Sequence, residues 1–276
     1  MADMLNIAML GATGRMGRSI IPLIAAHADG LRLSGALAAA GDPGLGQDAG
    51  VFAGTAPLAV AITDQAERAL ADAQVAIDFT LAEASVRHAN ACRARNCALV
   101  IGTTGQTAAQ RAELEEVARG LPIVLAPNMS LGVNVLFRLA ELAGRALKAA
   151  DYDAEIFEAH HRNKVDAPSG TAIRTAEMVA EARAAAGLAQ MPDATRDEMA
   201  GARGAEVAGV RVHSIRAAGL VAHQEVLLGT SGETLTIRHD SVDRKSFMPG
   251  VLLAVRSVRQ RPGLTVGLGP LLGLGD

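Results

Sequence analysis

The stretch LNIAMLGATGRMG, residues 5–17, decides the fold of this chain. The apolar run at residues 5–10 predicts a buried strand, and the turn GATGRMG then leads directly into a helix. In this context the glycines allow a tight turn, a close approach of the backbone to a pyrophosphate and close packing of the helix. The spacing G-x-x-G-x-x-G is looser than G-x-G-x-x-G, so an ordinary strand-to-helix turn is the alternative.

Further apolar runs alternate with segments of helical period, as they do in βαβ units. The predicted strands of this half are residues 5–10, 31–37, 74–79, 98–101 and 122–125. Two capping boxes, Asp64 with Glu67 and Thr107 with Gln110, mark helix starts between the strands. Together these patterns predict an α/β domain over residues 1–129, with a Rossmann-like doubly wound parallel sheet that binds a dinucleotide.

The pattern of predicted helices and strands changes after residue 129. The predicted elements are a helix at 132–148, a strand at 152–158, a helix at 171–186, a surface loop at 187–209, strands at 210–216, 220–228 and 233–239, and a helix at 247–259. The alternating strands predict a second, α+β domain over residues 130–244 with a mixed sheet. We expect the last helix to return to the first domain, so that residues 245–276 complete it.

Three more loops follow predicted strands of the first domain. They are Asp78-Phe79-Thr80, Gly102-Thr103-Thr104-Gly105 and Ala126-Pro127-Asn128-Met129. Ligands of an open parallel sheet bind at the carboxyl ends of its strands, so these loops are candidates for the cofactor site, although each alone could be a structural turn. The second strand usually ends in an acid for the ribose or an arginine for a 2′-phosphate, but here it is followed by Ala38-Ala39-Ala40.

The stretch EAHHRNKVDAPSGTA, residues 158–172, predicts a pocket for an anion that carries carboxylates. His160 and Lys164 can exchange protons, and Ser169 can cap a helix whose first amides, at Gly170 and Thr171, then face a carboxylate. Two adjacent histidines that only satisfy hydrogen bonds are the alternative. Zinc is disfavoured because adjacent strand residues point to opposite faces and no third ligand lies at a suitable spacing, so we predict no metal site.

Composition narrows the function classes. A net charge of −3 and a pI near 6.2 argue against nucleic acid as a partner. The two cysteines, Cys92 and Cys97, match no redox or zinc spacing and are interpreted as reduced thiols. The first residues lack a charged leader with an apolar stretch, and no apolar run is long enough to span a membrane. We therefore predict a cytoplasmic protein without membrane contact.

With these residues in view, the chain resembles the dihydrodipicolinate reductase family of the diaminopimelate and lysine pathway. The motifs GATGRMG, DFT, VIGTTG, APNMSLGVN, EAHHRNKVDAPSGTA and ETLTIRHDSVDR all occur in the family's order. The resemblance implies reduction of 4-hydroxy-tetrahydrodipicolinate, a small dicarboxylate, to tetrahydrodipicolinate with NADH or NADPH. It also implies a homotetramer built through the sheet of the second domain.

The resemblance further implies a role for individual residues. His160 matches the general acid and base, Lys164 the proton donor, and His161, Gly170 and Thr171 the substrate-binding positions, while Arg244 would reach the second carboxylate. The cofactor loops match at Gly11, Ala12, Thr13, Gly14, Arg15, Met16, Gly102, Thr103, Thr104, Ala126, Pro127, Asn128 and Met129. Ala38 and Ala39 replace the family's acid and basic residue, so we expect both coenzymes to be used.

Two other functions compete with the reductase. A short-chain dehydrogenase needs a Tyr-x-x-x-Lys pair, but the only tyrosine, Tyr152, is followed four residues later by Ile156. A non-catalytic NAD(P)-binding sensor on the same scaffold is the second rival. The presence of both His160 and Lys164 argues against it.

Overall fold

A computed structural model describes residues 4–27, 30–147 and 152–274. The chain divides into two compact units, Met1–Met129 with Phe247–Asp276, and Ser130–Ser246. The dinucleotide-binding role predicted for the first unit, and the substrate-binding and oligomerisation role predicted for the second, stay predictions.

The elements are numbered in chain order. The strands are β1 Leu5–Leu10, β2 Leu31–Leu37, β3 Ile62–Thr63, β4 Val75–Asp78, β5 Ala98–Ile101, β6 Ile123–Leu125, β7 Asp153–His161, β8 Ala205–Val207, β9 Val210–Ala217, β10 Ala222–Thr230, β11 Glu233–Ser241 and β12 Leu264–Val266. The helices are α1 Gly17–Ala26, α2 Ala49–Phe52, α3 Ala66–Ala69, α4 Ala82–Ala94, α5 Ala108–Ala118, α6 Leu131–Ala146, α7 Gly170–Ala185 and α8 Met248–Ser257. Among the described residues, 3-10 turns also lie at Arg244–Phe247, Val258–Gln260 and Gly269–Leu272.

The first unit is built on a parallel sheet of seven strands in the order β12-β6-β5-β4-β1-β2-β3. Every residue of the central strands β4 and β5 is buried, which explains their short, wholly apolar or nearly apolar sequences. The strand order reverses direction at β1, so the loops after β1 and β4 meet at the switch point where such sheets bind ligands. The predicted Rossmann-like sheet is confirmed.

The second unit contains a mixed sheet in the order β11-β10-β7-β9-β8. Strands β7 and β9 run parallel, whereas the other neighbours are antiparallel. Helices α6 and α7 pack on one face of this sheet around a core that includes Tyr152, Ile156, Val179 and Val226. The predicted mixed sheet is confirmed.

Some local predictions were wrong. Helix α3 begins at Ala66 after Gln65, so Asp64 does not cap it, whereas the capping box of Thr107 with Gln110 is present. The predicted loop at 187–209 contains β8, and the strands β3 and β12 were missed. These three strands have only two or three residues, too few to show a hydrophobic period. Residue 148, the predicted end of the helix from 132, lies outside the described residues.

Candidate active site

The end of strand β7 places a carboxylate inside the second unit. Side chains of a strand alternate between its two faces, and Ala154 and Ile156 point into the core. Glu158 continues this inward series and is itself only 1% exposed. A charged group in such a place must be compensated by hydrogen bonds and opposite charge.

Three residues make four hydrogen bonds to the Glu158 carboxylate. Nδ1 of His160 lies 2.6 Å from Oε2, and the Arg216 guanidinium donates from Nη1 to Oε2 at 2.8 Å and from Nη2 to Oε1 at 2.7 Å. The backbone amide of Ser169 donates to Oε1 at 3.1 Å. Burial raises the pKa of Glu158, but hydrogen bonds from His160, Arg216 and Ser214 outweigh it and hold the pKa at about 2.

The protonation state of Glu158 fixes the tautomer of its histidine partner. An ionised carboxylate only accepts hydrogen bonds, so Nδ1 of His160 must carry the hydrogen in this contact. Nε2, the other ring nitrogen, then accepts a proton when the ring is neutral and donates one when the ring is cationic. The His160 side chain is 15% exposed, so it lies at the border between the interior and solvent.

The start of helix α7 lies next to the same carboxylate. Ser169 is the N-cap residue, and its hydroxyl accepts a hydrogen bond from the Ala172 amide at 3.2 Å. A Cβ added to Gly170 would meet no atom within 4 Å, so the space beside this residue is open. The first turn of a helix presents amides and positive dipole charge, and α7 can therefore bind a carboxylate at Gly170 and Thr171.

Lys164 is connected to this cluster through two other residues. Its Nζ donates to both carboxylate oxygens of Asp166, at 2.8 and 2.9 Å, and this hydrogen bond lowers the pKa of Asp166. The backbone carbonyl of Asp166 accepts a hydrogen bond from Arg216 Nη2 at 2.7 Å. Arg216 therefore joins the loop that carries Lys164 to the carboxylate that holds His160. We call Glu158, His160, Arg216, Asp166 and Lys164 the Glu158 network.

The other predicted substrate residues lie outside this network. His161 is exposed at the last position of β7. Arg244 is exposed in a 3-10 turn, and within the described ranges no hydrogen bond or ion pair joins it to the network. Their substrate-binding roles stay predictions.

Glu158 and Arg216 were missed as site residues. The sequence carried a signal for Glu158, because this residue falls on the same face of the strand as the apolar residues Ala154 and Ile156. Arg216 gave no local signal. It reaches the site because the parallel pairing of β7 with β9 places it opposite His160.

The glycine loop of the first unit is closely packed. Gly11 has φ +85°, and a Cβ there would lie 2.8 Å from the carbonyl oxygen of Phe79. A Cβ on Gly17 would lie 2.3 Å from the oxygen of Gly11, and a Cβ on Gly102 would lie 2.1 Å from ring carbons of Phe79. These positions therefore require glycine, and they leave backbone without side chains along the carboxyl edge of the sheet. This bare cradle fits the pyrophosphate of a dinucleotide.

Asp78 holds two of the edge loops together. Its buried carboxylate accepts hydrogen bonds from the Thr80 amide and hydroxyl at 2.9 and 2.6 Å and from the Thr103 hydroxyl at 3.2 Å. Nδ1 of His88 lies 3.1 Å from Oδ2. The Thr80 amide also donates to Thr103 at 2.9 Å. The loops after β4 and β5 are thus fixed before a ligand binds.

The remaining predicted cofactor residues lie along the same edge. Ala12, Thr13, Gly14, Arg15 and Met16 follow β1, Thr104 follows β5, and Ala126, Pro127, Asn128 and Met129 follow β6. The structure thus brings the three predicted loops to one edge of one sheet. Contact of each residue with the cofactor stays a prediction.

Several other features bear on function. Cys92 and Cys97 are buried free thiols, and a hydrogen bond with Cys97 together with burial raises the pKa of Cys92 far above its usual range. Within residues 4–27, 30–147 and 152–274, no cluster of three or more His, Cys, Asp or Glu could hold a metal ion. Over the same residues, no helix is both long and apolar enough to cross a membrane.

Comparison with known proteins covers nearly the whole chain. Two family models match, "Dihydrodipicolinate reductase, N-terminus" over residues 5–129 and "Dihydrodipicolinate reductase, C-terminus" over residues 132–272. The 4-hydroxy-tetrahydrodipicolinate reductase of Nocardia farcinica is 45% identical over 273 residues, covering 98% of this chain and 99% of the relative. That of Anaeromyxobacter dehalogenans is 44% identical over 275 residues, covering 98% of each.

Solved structures agree with these relatives. The dipicolinate-bound dihydrodipicolinate reductase from Paenisporosarcina sp. TG-14 is 32% identical, with a TM-score of 0.82 over 97% of this chain and 99% of that one. An amine dehydrogenase from Mycobacterium smegmatis, 17% identical with a TM-score of 0.62 over 95% and 94% of the two chains, shares the fold alone. On the two family models and the identity to these relatives, this chain belongs to the dihydrodipicolinate reductase family.

Proposed function

We propose that this chain is a 4-hydroxy-tetrahydrodipicolinate reductase of the diaminopimelate and lysine pathway. The observation that carries the proposal is His160, held with one ring nitrogen 2.6 Å from a buried carboxylate beside the open start of α7. The curated relatives of this family carry the same enzyme name over almost their full length. No finding supports the sensor alternative.

The reaction requires a reductant and a proton. Conversion of 4-hydroxy-tetrahydrodipicolinate to tetrahydrodipicolinate removes one oxygen as water, so the substrate must gain a hydride and a proton. When bound, NADH or NADPH supplies the hydride. The glycine cradle at Gly11, Gly17 and Gly102 would hold the cofactor by close backbone approach, with its pyrophosphate near the start of α1.

The substrate is a small dicarboxylate, and two places in the second unit could bind its carboxylates. The amides of Gly170 and Thr171 at the start of α7 would take one, and the dipole of this 16-residue helix adds to the attraction. His161 and Arg244 would take the other by charge-assisted hydrogen bonds. Dipicolinate, named with the Paenisporosarcina enzyme, is a planar molecule with two carboxylates of this kind.

His160 and Lys164 would handle the proton. Because Nδ1 of His160 donates to Glu158, Nε2 faces away from the carboxylate and can give or take a proton. Lys164 is cationic beside Asp166 and can donate where electrons collect on the substrate ring nitrogen. The second unit would exclude water and orient the substrate ring.

The test is an assay with the cyclic product of pyruvate and aspartate semialdehyde, formed in place by its synthase. NADH oxidation should require this protein, pyruvate and aspartate semialdehyde together. Mass spectrometry should show that the product lacks the 4-hydroxyl. Binding of NADH without oxidation would refute the proposal in favour of a sensor.

The assembly and location are further parts of the proposal. The sheet of the second unit has a face opposite α6 and α7, which carries Phe157, Leu227 and Ile215, the last 51% exposed. Apolar side chains on an exposed sheet face support a homotetramer through this sheet. Light scattering after size exclusion should give four times the 28.3 kDa chain mass. A cytoplasmic location stays a prediction from the sequence.

A further inference from the structure

We infer that Glu158 is the positioning residue that keeps His160 in its working tautomer and fixes the carboxylate-binding start of α7. This inference rests on the proposed function for its kinetic part. Its structural part, the tautomer of His160, can be measured without turnover. Glu158 would act on the substrate only through the residues that it holds, His160, Arg216 and Ser169.

The number of donors around Glu158 requires a carboxylate. Glu158 receives Nδ1–H of His160, two N–H groups of Arg216 and the amide of Ser169, all between 2.6 and 3.1 Å. A neutral glutamine has only one acceptor oxygen and adds an NH2 group that would face these donors. The site therefore needs a carboxylate and not merely a polar side chain of that size.

The donors to Glu158 belong to three parts of the proposed site. His160 would transfer the proton, Ser169 begins the helix that would bind a substrate carboxylate, and Arg216 also holds the carbonyl of Asp166, which pairs with Lys164. A single buried group thus sets the mutual position of three parts of the site. Partners that orient metal-ligating histidines through the second ring nitrogen commonly change affinity or activity by about 10- to 100-fold, and we expect an effect of similar size for His160.

The charged groups near Glu158 come from three directions. Strand β7 contributes His160, strand β9 contributes Arg216, and the loop before α7 contributes Asp166 and Lys164. On the remaining side, β10 places the neutral Gln224 in register with Glu158. The carboxylate is thus the only acid in direct contact with His160 among the described residues.

The same strand offers a matched control. Glu155 lies on the opposite face of β7 and also pairs with a histidine and an arginine, at 2.7 Å from His213 Nε2 and 2.6 Å from Arg203 Nη2. Glu155→Gln removes a similar ion-pair cluster from the same strand without touching the Glu158 network. Effects of general destabilisation should therefore appear in both variants.

The experiment compares Glu158→Gln with Glu155→Gln by nitrogen-15 NMR of the histidine rings and by kcat. We expect Glu158→Gln to lose the Nδ1–H tautomer of His160 and to lower kcat by about 50-fold, with NADH affinity unchanged. Glu155→Gln should keep the tautomer and stay within about twofold of the parent. A folded Glu158→Gln that keeps both the tautomer and kcat, or an equal loss in Glu155→Gln, would overturn the inference.

A double variant protects the test against misfolding. Glu158→Gln with Arg216→Met removes the acid and its counter-charge together, so no buried charge is left unpaired. It should show the same loss of tautomer and kcat, and a normal tautomer would overturn the inference. If the parent enzyme has no turnover, the proposed function fails, yet the tautomer measurement still decides the role of Glu158.

A separate observation in the first unit concerns coenzyme choice. After β2, where an acid or arginine is expected, Ala38 and Ala39 offer no polar side chain, but Asp42 folds back onto the glycine loop. Its Oδ2 accepts a hydrogen bond from the Thr13 hydroxyl at 2.7 Å, and its Oδ1 accepts one from the Gly44 amide at 2.8 Å. Leu37, the last residue of β2, accepts hydrogen bonds from the Gly11 and Ala12 amides at 2.9 and 2.8 Å.

We propose that Asp42 takes the place of the absent acid and disfavours a 2′-phosphate. A carboxylate bonded to Thr13 lies beside the turn that would bind the cofactor, where it repels added negative charge. Of the two arginines near this turn, Arg18 lies over the Phe52 ring at 5.8 Å from its centroid, and Arg15 is exposed. We therefore expect NADH to be favoured more than the two alanines alone would predict.

The test measures dissociation constants of NADH and NADPH from their fluorescence on the free enzyme, at one low ionic strength. Asp42→Asn keeps an acceptor for Thr13 but removes the charge, and it should lower the ratio of the NADPH to the NADH constant by about fivefold. The control is Asp48→Asn, which weakens the cap of α2 in the same loop. It should change both constants alike. An unchanged ratio in Asp42→Asn would overturn the proposal.

Discussion

Protonation of Glu158 should destabilise the second unit in acid. The pKa of this carboxyl is about 2 in the folded protein against a usual 4.5. That difference corresponds to about 3 kcal/mol, and we expect about 2 kcal/mol because solvent partly screens His160 and Arg216, which are 15% and 19% exposed. Because the folded pKa lies below the unfolded one, this stability is fully present above about pH 4.5 and is lost as the pH falls toward 2.

The assay uses the only tyrosine of a chain without tryptophan. Tyr152 is fully buried in the core of the second unit, so its fluorescence follows unfolding of that unit. We would measure urea unfolding of the parent and of Glu158→Gln between pH 7 and 2.5. Subtracting the two free energies removes the contributions of all other carboxylates, and the advantage of the parent should shrink by about 2 kcal/mol over this range.

The control is Glu233→Gln, at the exposed start of β11, which should show no difference that depends on pH. The uncompensated charge of Arg216 in Glu158→Gln adds a constant cost, because a guanidinium does not titrate in this range. If the difference in free energy of unfolding between the parent and Glu158→Gln stays constant from pH 7 to 2.5, Glu158 is not held ionised by its partners in the way described.

Three further predictions concern activity. His160→Ala and Lys164→Ala should each lower kcat by about a hundredfold or more and leave the NADH dissociation constant unchanged; near-normal turnover at saturating substrate would contradict the assigned role. Pyridine-2,6-dicarboxylate should compete with substrate, with an inhibition constant that rises about tenfold in Arg244→Ala, and unchanged inhibition would remove Arg244 from the site. Gly102→Ala should weaken NADH binding about tenfold, because its Cβ would lie 2.1 Å from the Phe79 ring, and normal affinity would mean that the ring moves freely.

The main architecture could be predicted because its signals are local. Strands β1, β2 and β5 have the predicted bounds, since β1 and β5 are apolar or nearly apolar runs followed by glycine, and the apolar residues of β2 alternate with polar ones before Ala38-Ala39-Ala40. The glycine turn after β1 was informative because a backbone that approaches so closely excludes a Cβ. The short strands β3 and β12 were missed because pairing along an existing sheet edge creates them, and their own sequences carry no pattern.

In the candidate site, too, the contacts made between distant parts of the chain could not be predicted. Its histidines, lysine and helix start are close together in sequence, so their chemistry could be predicted from one stretch. The acceptor that decides which nitrogen of His160 works is also in that stretch, but a carboxylate in the apolar phase of a strand is tolerated only with a counter-charge. That charge, Arg216, lies 58 residues further along the chain and arrives only through the pairing of β7 with β9.

It follows that the chemistry of the loop depends on the register of the sheet. A slip of one residue between β7 and β9 would turn Arg216 to the opposite face and leave Glu158 buried without its main counter-charge. The carboxyl would then be protonated more readily, and the hydrogen on Nδ1 of His160 would lose its ionised acceptor. The pairing that stabilises the second unit would therefore also prepare His160 for the proton transfer that we propose.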